Sequence, residues 1–209
     1  MPLKVAHHGR EFLDVGVLLS NTWTKGTHLA RKVDRRTERT RAALLSAFVE
    51  SVLSRGYDAV RVADIIRRAN VGRSTFYLHY AGKDALLKES LAGPCSTLAA
   101  CARDNATARL LMPLLEHFRE QRNLNRALFE HPVRSVWVKR LAALIERNLA
   151  PTSSAARRPL LPRSLLALTV AEMQIGLITH WLNAAPSLKS DLIAEALFLN
   201  TRAILARPA

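Results

Sequence analysis

Arg73, Ser74, Thr75, Tyr77, His79 and Lys83 fall within one short stretch of the chain. Their common chemistry is hydrogen-bond donation. A guanidinium can bond guanine through two parallel hydrogen bonds, and hydroxyls can bond phosphate oxygens. An ammonium at a helix start, beside the free backbone N–H groups there, makes a phosphate site. Arg73 and Ser74 are therefore the candidates for base edges. Thr75 and Tyr77 suit phosphates, His79 suits either, and Lys83 suits a phosphate. Between them, Phe76 and Tyr80 read as core. This is recognition chemistry, not bond making. The chain has no Gly-rich phosphate loop, no H-E-x-x-H and no G-x-S-x-G, and its 7 histidines are scattered. An enzyme is not expected, nor is a cofactor. No metal is expected either, because Cys95 and Cys101 have neither zinc nor redox-motif spacing. They read as small apolar residues of a helical region, with a redox pair as the alternative.

Donors of this kind need a helix held at a fixed angle. Leu44, Leu45, Phe48, Val49, Val52 and Leu53 recur at helical spacing, and Gly56 ends that helix. Val62, Ile65 and Ile66 predict a second helix over about 62–69. Asn70-Val71-Gly72 makes a turn, where Asn tolerates the left-handed conformation. A third helix is predicted over about 73–79 and a fourth from Lys83. Two short helices across a tight turn outline a helix-turn-helix, whose second helix enters the DNA major groove.

Residues 37–91 resemble the DNA-binding domain of the TetR/AcrR family of bacterial transcriptional regulators. The resemblance rests on Gly56-Tyr57, Val62-Ala63-Asp64-Ile65, Ala69-Asn70-Val71, Thr75-Phe76-Tyr77, His79-Tyr80 and Lys83, all in register over about a quarter of the chain. It implies an all-α fold: a three-helix, homeodomain-like helix-turn-helix domain over 35–92, then a helical effector-binding and dimerisation domain over 93–209. It also implies a dimer on a palindromic operator in double-stranded DNA, released by a small ligand. Three positions depart from the family pattern. Arg61 replaces a Thr that caps the second helix and reaches a phosphate; a guanidinium cannot cap but can hold the phosphate. Gly72 follows the turn where Ser is usual, and Ser74 stands where Gly is frequent.

The remaining chain is read as helix after helix. The Gly93-Pro94 pair is expected to interrupt the pattern, which resumes over Cys95–Arg103. Further helices are expected over 107–121 (kinked by Pro113), 124–130, 133–149, 164–184 and 188–205, with a Pro- and Ser-containing loop over Pro151–Pro162. Apolar stripes on the last two helices are wider than one face needs. Leu168, Ile175, Ile178, Trp181, Leu192 and Leu197 are candidates for a four-helix interface between copies, the alternative being an intrachain core. One helix-turn-helix reads only a half-site, which favours the homodimer. Phe118, Trp137, Met173 and Leu177 are candidates for a largely apolar effector pocket.

Across its 209 residues, Lys plus Arg outnumber Asp plus Glu by 31 to 17, a net charge of +14. That excess suits a polyanion, whether nucleic acid or an anionic membrane surface. Arg far outnumbers Lys, a usage that an arginine-rich proteome also produces. Residues 1–34 lack periodicity and read as a poorly ordered basic arm, either a minor-groove contact or a solvated tail. No uninterrupted apolar run reaches the ~18 residues of a membrane span, and no signal-peptide core precedes the first acidic residues. The expected location is the cytoplasm, with no membrane partner. The alternative function is a basic helical adaptor that binds RNA or a membrane surface without sequence preference.

Overall fold

A computed structural model gives the fold and describes residues 35–122, 129, 132–149, 161–185 and 187–206. The expected arm over 1–34, the short helix over 124–130 except Phe129, and most of the loop over 151–162 lie outside the described residues. Every regular element among the described residues is helical. Contacts divide the chain into two compact units that meet between Gly93 and Pro94.

The first unit holds α1 (Arg35–Arg55), α2 (Val62–Ala69), α3 (Arg73–His79) and α4 (Lys83–Ser90). Helix α1 packs against α2 and α4, and α2 packs against α3. The apolar repeat of α1 supplies Leu44, Phe48 and Val52, all fully buried, to a core completed by Ile65, Phe76 and Leu86. Gly56 ends α1 with φ 76°, a conformation that glycine adopts without a Cβ penalty. Ion pairs bind the outer surface: Arg41 to Glu89 at 2.8 Å and Arg68 to Glu50 at 2.6 Å. Exposed pairs of this kind add about 0–1 kcal/mol each, so burial holds the unit.

Helix α5 (Ala92–Ala100) begins before the Gly93-Pro94 pair rather than after it. Proline is tolerated there because first-turn N–H groups have no helical partner anyway. The same physics corrects Pro113. A 3₁₀ turn (Ala108–Leu111) precedes α6 (Met112–Glu120), and Pro113 sits in the first turn of α6 instead of kinking a longer helix.

The second unit continues with α7 (Val133–Asn148), α8 (Arg163–Ala184) and α9 (Ser190–Leu205). Helix α8 lies along α7 and also packs on α9, while α9 meets α6 and the 3₁₀ turn. By length and composition α8 could cross a membrane, with a window of mean hydropathy 1.4. A count of consecutive apolar residues misses this, because Thr169, Glu172 and Gln174 interrupt the run. Between α7 and α9 it serves as the core helix of this unit.

At its centre Gln174 is fully buried. Its side-chain nitrogen donates to Thr201 Oγ1 at 2.9 Å and to the Leu98 carbonyl at 3.4 Å, joining α8 to α9 and α5. Trp181 Nε1 donates to the Leu188 carbonyl at 3.0 Å, fixing the turn between α8 and α9. Cys95 and Cys101 are free and buried. Burial pushes their thiols up to about 12 and about 11, so they stay protonated and behave as small apolar residues.

Candidate nucleic-acid interface

Two backbone features aim α3. Asn70 takes the left-handed conformation (φ 52°, ψ 47°) directly after α2. The Val71 N–H reaches back to the Ile66 carbonyl at 3.1 Å, and the Asn70 N–H reaches the Arg67 carbonyl at 3.3 Å. This closes α2 in a Schellman-type turn, with half-buried Val71 packed under it. Gly72 then caps α3 in an extended conformation. Replacing Asn70 with Ala is expected to cost about 1–2 kcal/mol, because a Cβ without a local hydrogen-bonding group is strained at this φ. Asn70→Gly is expected to be neutral or slightly stabilising. Urea titrations followed by circular dichroism would show the two variants moving in different directions.

Helix α3 is divided lengthwise. Phe76 is fully buried and Tyr80, its C-cap, is buried with it, as their place in the sequence suggested. Thr75 and His79 flank them, half-buried. Arg73, Ser74, Tyr77 and Leu78 are exposed. At 100° per residue these four cover one contiguous arc of about 140°. Tyr77 is 48% exposed, its ring edge-on to Phe76 at 5.2 Å between centroids. The Arg73 guanidinium lies 5.7 Å from the Tyr77 ring centroid, a cation–π contact that holds it on the arc.

Charge pairing separates the basic residues. Arg67 is tied to Asp64 at 2.5 Å, Arg55 reaches the same carboxylate at 3.6 Å, and Arg68 is held by Glu50. Among the described residues no carboxylate pairs with Arg61 or Arg73, and both are exposed. Arg61 is the N-cap of α2 and makes no side-chain cap bond, as its chemistry requires.

Lys83, expected at a phosphate, is engaged within its own domain. Its ammonium donates to the carbonyls of Tyr57 at 2.9 Å, Val60 at 3.2 Å and Asp58 at 3.5 Å, and lies 4.4 Å from the Tyr57 ring centroid. All three ammonium hydrogens thus have acceptors within the domain. The Tyr57 hydroxyl donates to Asp84, and burial raises its pKa. Together these bonds fasten the α1–α2 turn to the start of α4, so Lys83 positions the module.

Leu78 is a candidate for this interface that sequence reasoning missed. It is 80% exposed and lies on the same arc as Arg73 and Tyr77. The available signal was its spacing of four from Ser74, which puts both on one face.

In the second unit the expected interface residues divide. Ile175, Ile178 and Trp181 are buried within their own chain because α8 is packed on two sides, and Leu197 is buried on α9, which packs against α8 and α6. Leu168 and Leu192 remain exposed, together with Leu165 and Leu199. Of the expected pocket residues, Phe118 and Trp137 are buried and pack with Phe129. The Phe129 and Trp137 rings stack at 5.0 Å, with Phe118 edge-on to Phe129 at 5.3 Å. Met173 and Leu177 are half-buried on α8. A shallow cleft of about 270 Å³ lies elsewhere, lined by Ala102, Asn148, Arg202 and Leu205 among others, and none of the four expected residues lines it.

Residues 44–90 match the N-terminal family model of "bacterial regulatory proteins, tetR family". An uncharacterized HTH-type transcriptional regulator of Bacillus subtilis, YxbF, is 38% identical over 69 residues, a stretch that spans 32% of this chain and 18% of that protein. A TetR transcriptional regulator from Streptococcus agalactiae is 25% identical with a TM-score of 0.56, over 80% of this chain and 96% of its own. Two further structures share the fold. A TetR-family regulator from Streptomyces coelicolor is 21% identical with a TM-score of 0.59, over 84% of this chain and 98% of its own. The Thermus thermophilus repressor FadR, solved with lauroyl-CoA, is 22% identical with a TM-score of 0.53, over 81% of this chain and 97% of its own. A match confined to the helix-turn-helix and a likeness spanning four-fifths of the chain lead to one assignment: residues 44–90 are a DNA-binding domain of the tetR family of bacterial regulatory proteins, in a chain that shares the fold of TetR-family regulators.

Proposed function

We propose that this chain is a transcriptional repressor that binds a palindromic DNA operator as a homodimer and leaves it when a small apolar effector binds. The observation that carries the DNA-binding part is the exposed arc of α3, with Arg73 free of any carboxylate among the described residues. A guanidinium kept free of carboxylates, in a domain where Arg41, Arg55, Arg67 and Arg68 are ion-paired, has its donors available for a base edge. Arg73 and Ser74 face bases, Tyr77 and Arg61 reach phosphates, and Thr75 and His79 flank the contact. The exposed leucines of α8 and α9, Leu168 and Leu192 among them, supply the apolar surface for pairing with a second copy. Effector binding in the second unit favours a state in which the two half-site readers no longer match the operator spacing, a population shift. A protein with this role works in the cytoplasm beside the chromosome.

Selection of bound duplexes from a random pool tests the reading. The expected product is an inverted repeat carrying two protomers per site, bound far more tightly than bulk DNA at the same salt. Binding that depends on salt but shows no sequence preference would replace this reading with that of a basic adaptor for RNA or membrane surfaces.

A further inference from the structure

We infer that Leu78 reads a thymine methyl group in each half-site, an inference that rests on the DNA-binding reading above. Among the described large apolar side chains Leu78 is the most exposed, at 80%. It stands on the groove-facing arc of α3 beside Ser74 and Tyr77, not on the side that packs against α2. Its neighbours on the arc, Arg73, Ser74 and Tyr77, are hydrogen-bonding groups. Leu78 can neither donate nor accept a hydrogen bond. The major groove offers one apolar feature to such a side chain, the C5-methyl of thymine. Arg73 and Leu78 are five residues apart, about 7.5 Å along the helix axis. With base pairs stacked about 3.4 Å apart, the two side chains address positions about two steps from each other. The half-site is thus expected to carry a guanine for Arg73 and a thymine about two base pairs away for Leu78.

The test removes the methyl group from the DNA and the leucine from the protein in turn. Duplexes selected by the full chain are remade with each thymine replaced by 2′-deoxyuridine, which lacks only that methyl. Affinities are then measured by fluorescence anisotropy. One replacement is expected to weaken the wild-type chain about fourfold per altered half-site, the effect of one buried methyl group. Leu78→Ala should bind the thymine duplex more weakly and be indifferent to that replacement. Because Leu78 is exposed, the variant keeps its fold, which circular dichroism checks. Sequence-specific binding that ignores every uracil replacement overturns this inference alone, as does an equal loss in wild type and Leu78→Ala. Absence of any sequence-specific binding overturns the DNA-binding reading along with it.

Discussion

A Phe76→Ala variant is expected to lose about 3–5 kcal/mol of stability in the helix-turn-helix unit, and DNA binding with it. Phe76 is fully buried, with the rings of Tyr77 and Tyr80 at 5.2 Å and 6.0 Å. Removing it opens a cavity directly beneath the arc that carries Arg73. A unit of residues 35–90 has a total stability of roughly 3–8 kcal/mol at ordinary values per residue, so the loss consumes most of it. Hydrogen exchange of peptides from 35–90 would reveal the opening, while peptides from α7 and α8 keep their protection. Unchanged protection in both regions would show that α3 is not held by this side chain.

Arg73→Ala should act without touching the fold. The side chain is exposed, and its recorded contact is with the Tyr77 ring. Loss of a bidentate guanine contact costs about 1–3 kcal/mol, or about 5- to 150-fold in affinity at the selected site. Discrimination at one base pair per half-site should relax as well. Arg73→Lys should recover the charge but not the specificity, since an ammonium lacks the planar two-donor fork. Arg67→Ala is the matched control, because that guanidinium is already bound to Asp64. Anisotropy titrations at one fixed salt concentration check all three. If Arg73→Ala and Arg67→Ala weaken binding equally on specific and bulk DNA, Arg73 makes only a non-specific electrostatic contact.

The helix-turn-helix was legible because its signals are local. Val62, Ile65 and Ile66 set the face of α2, Asn70 and Gly72 set the turn, and the helices fall over Val62–Ala69 and Arg73–His79 as read. The carbonyl partners of Lys83 were not legible because they lie 23 to 26 residues away and approach only in the folded chain. Leu78 was passed over for the opposite reason: an apolar residue in a helix reads as core until its neighbours show that it faces out. The stripe on α8 holds a further lesson. Its excess width is real, but α7 and α9 cover much of it, and hydrophobic pattern alone cannot distinguish burial within a chain from burial between chains. Among the large apolar residues of α8, Leu165 and Leu168 stay exposed and Leu166, Met173 and Leu177 half-buried.

The buried amide of Gln174 has a consequence for how the second unit can move. Apolar helices packed side by side slide easily, since one methyl contact replaces another at little cost. Here a single side chain is bonded at once to Thr201 on α9 and to the Leu98 carbonyl on α5. Any axial displacement of α8 strands those groups in a dry interior, where an unmet hydrogen bond costs about 1–3 kcal/mol. The helix is therefore keyed in its axial register by one amide, and sliding it past α5 and α9 costs more than its apolar contacts alone would impose.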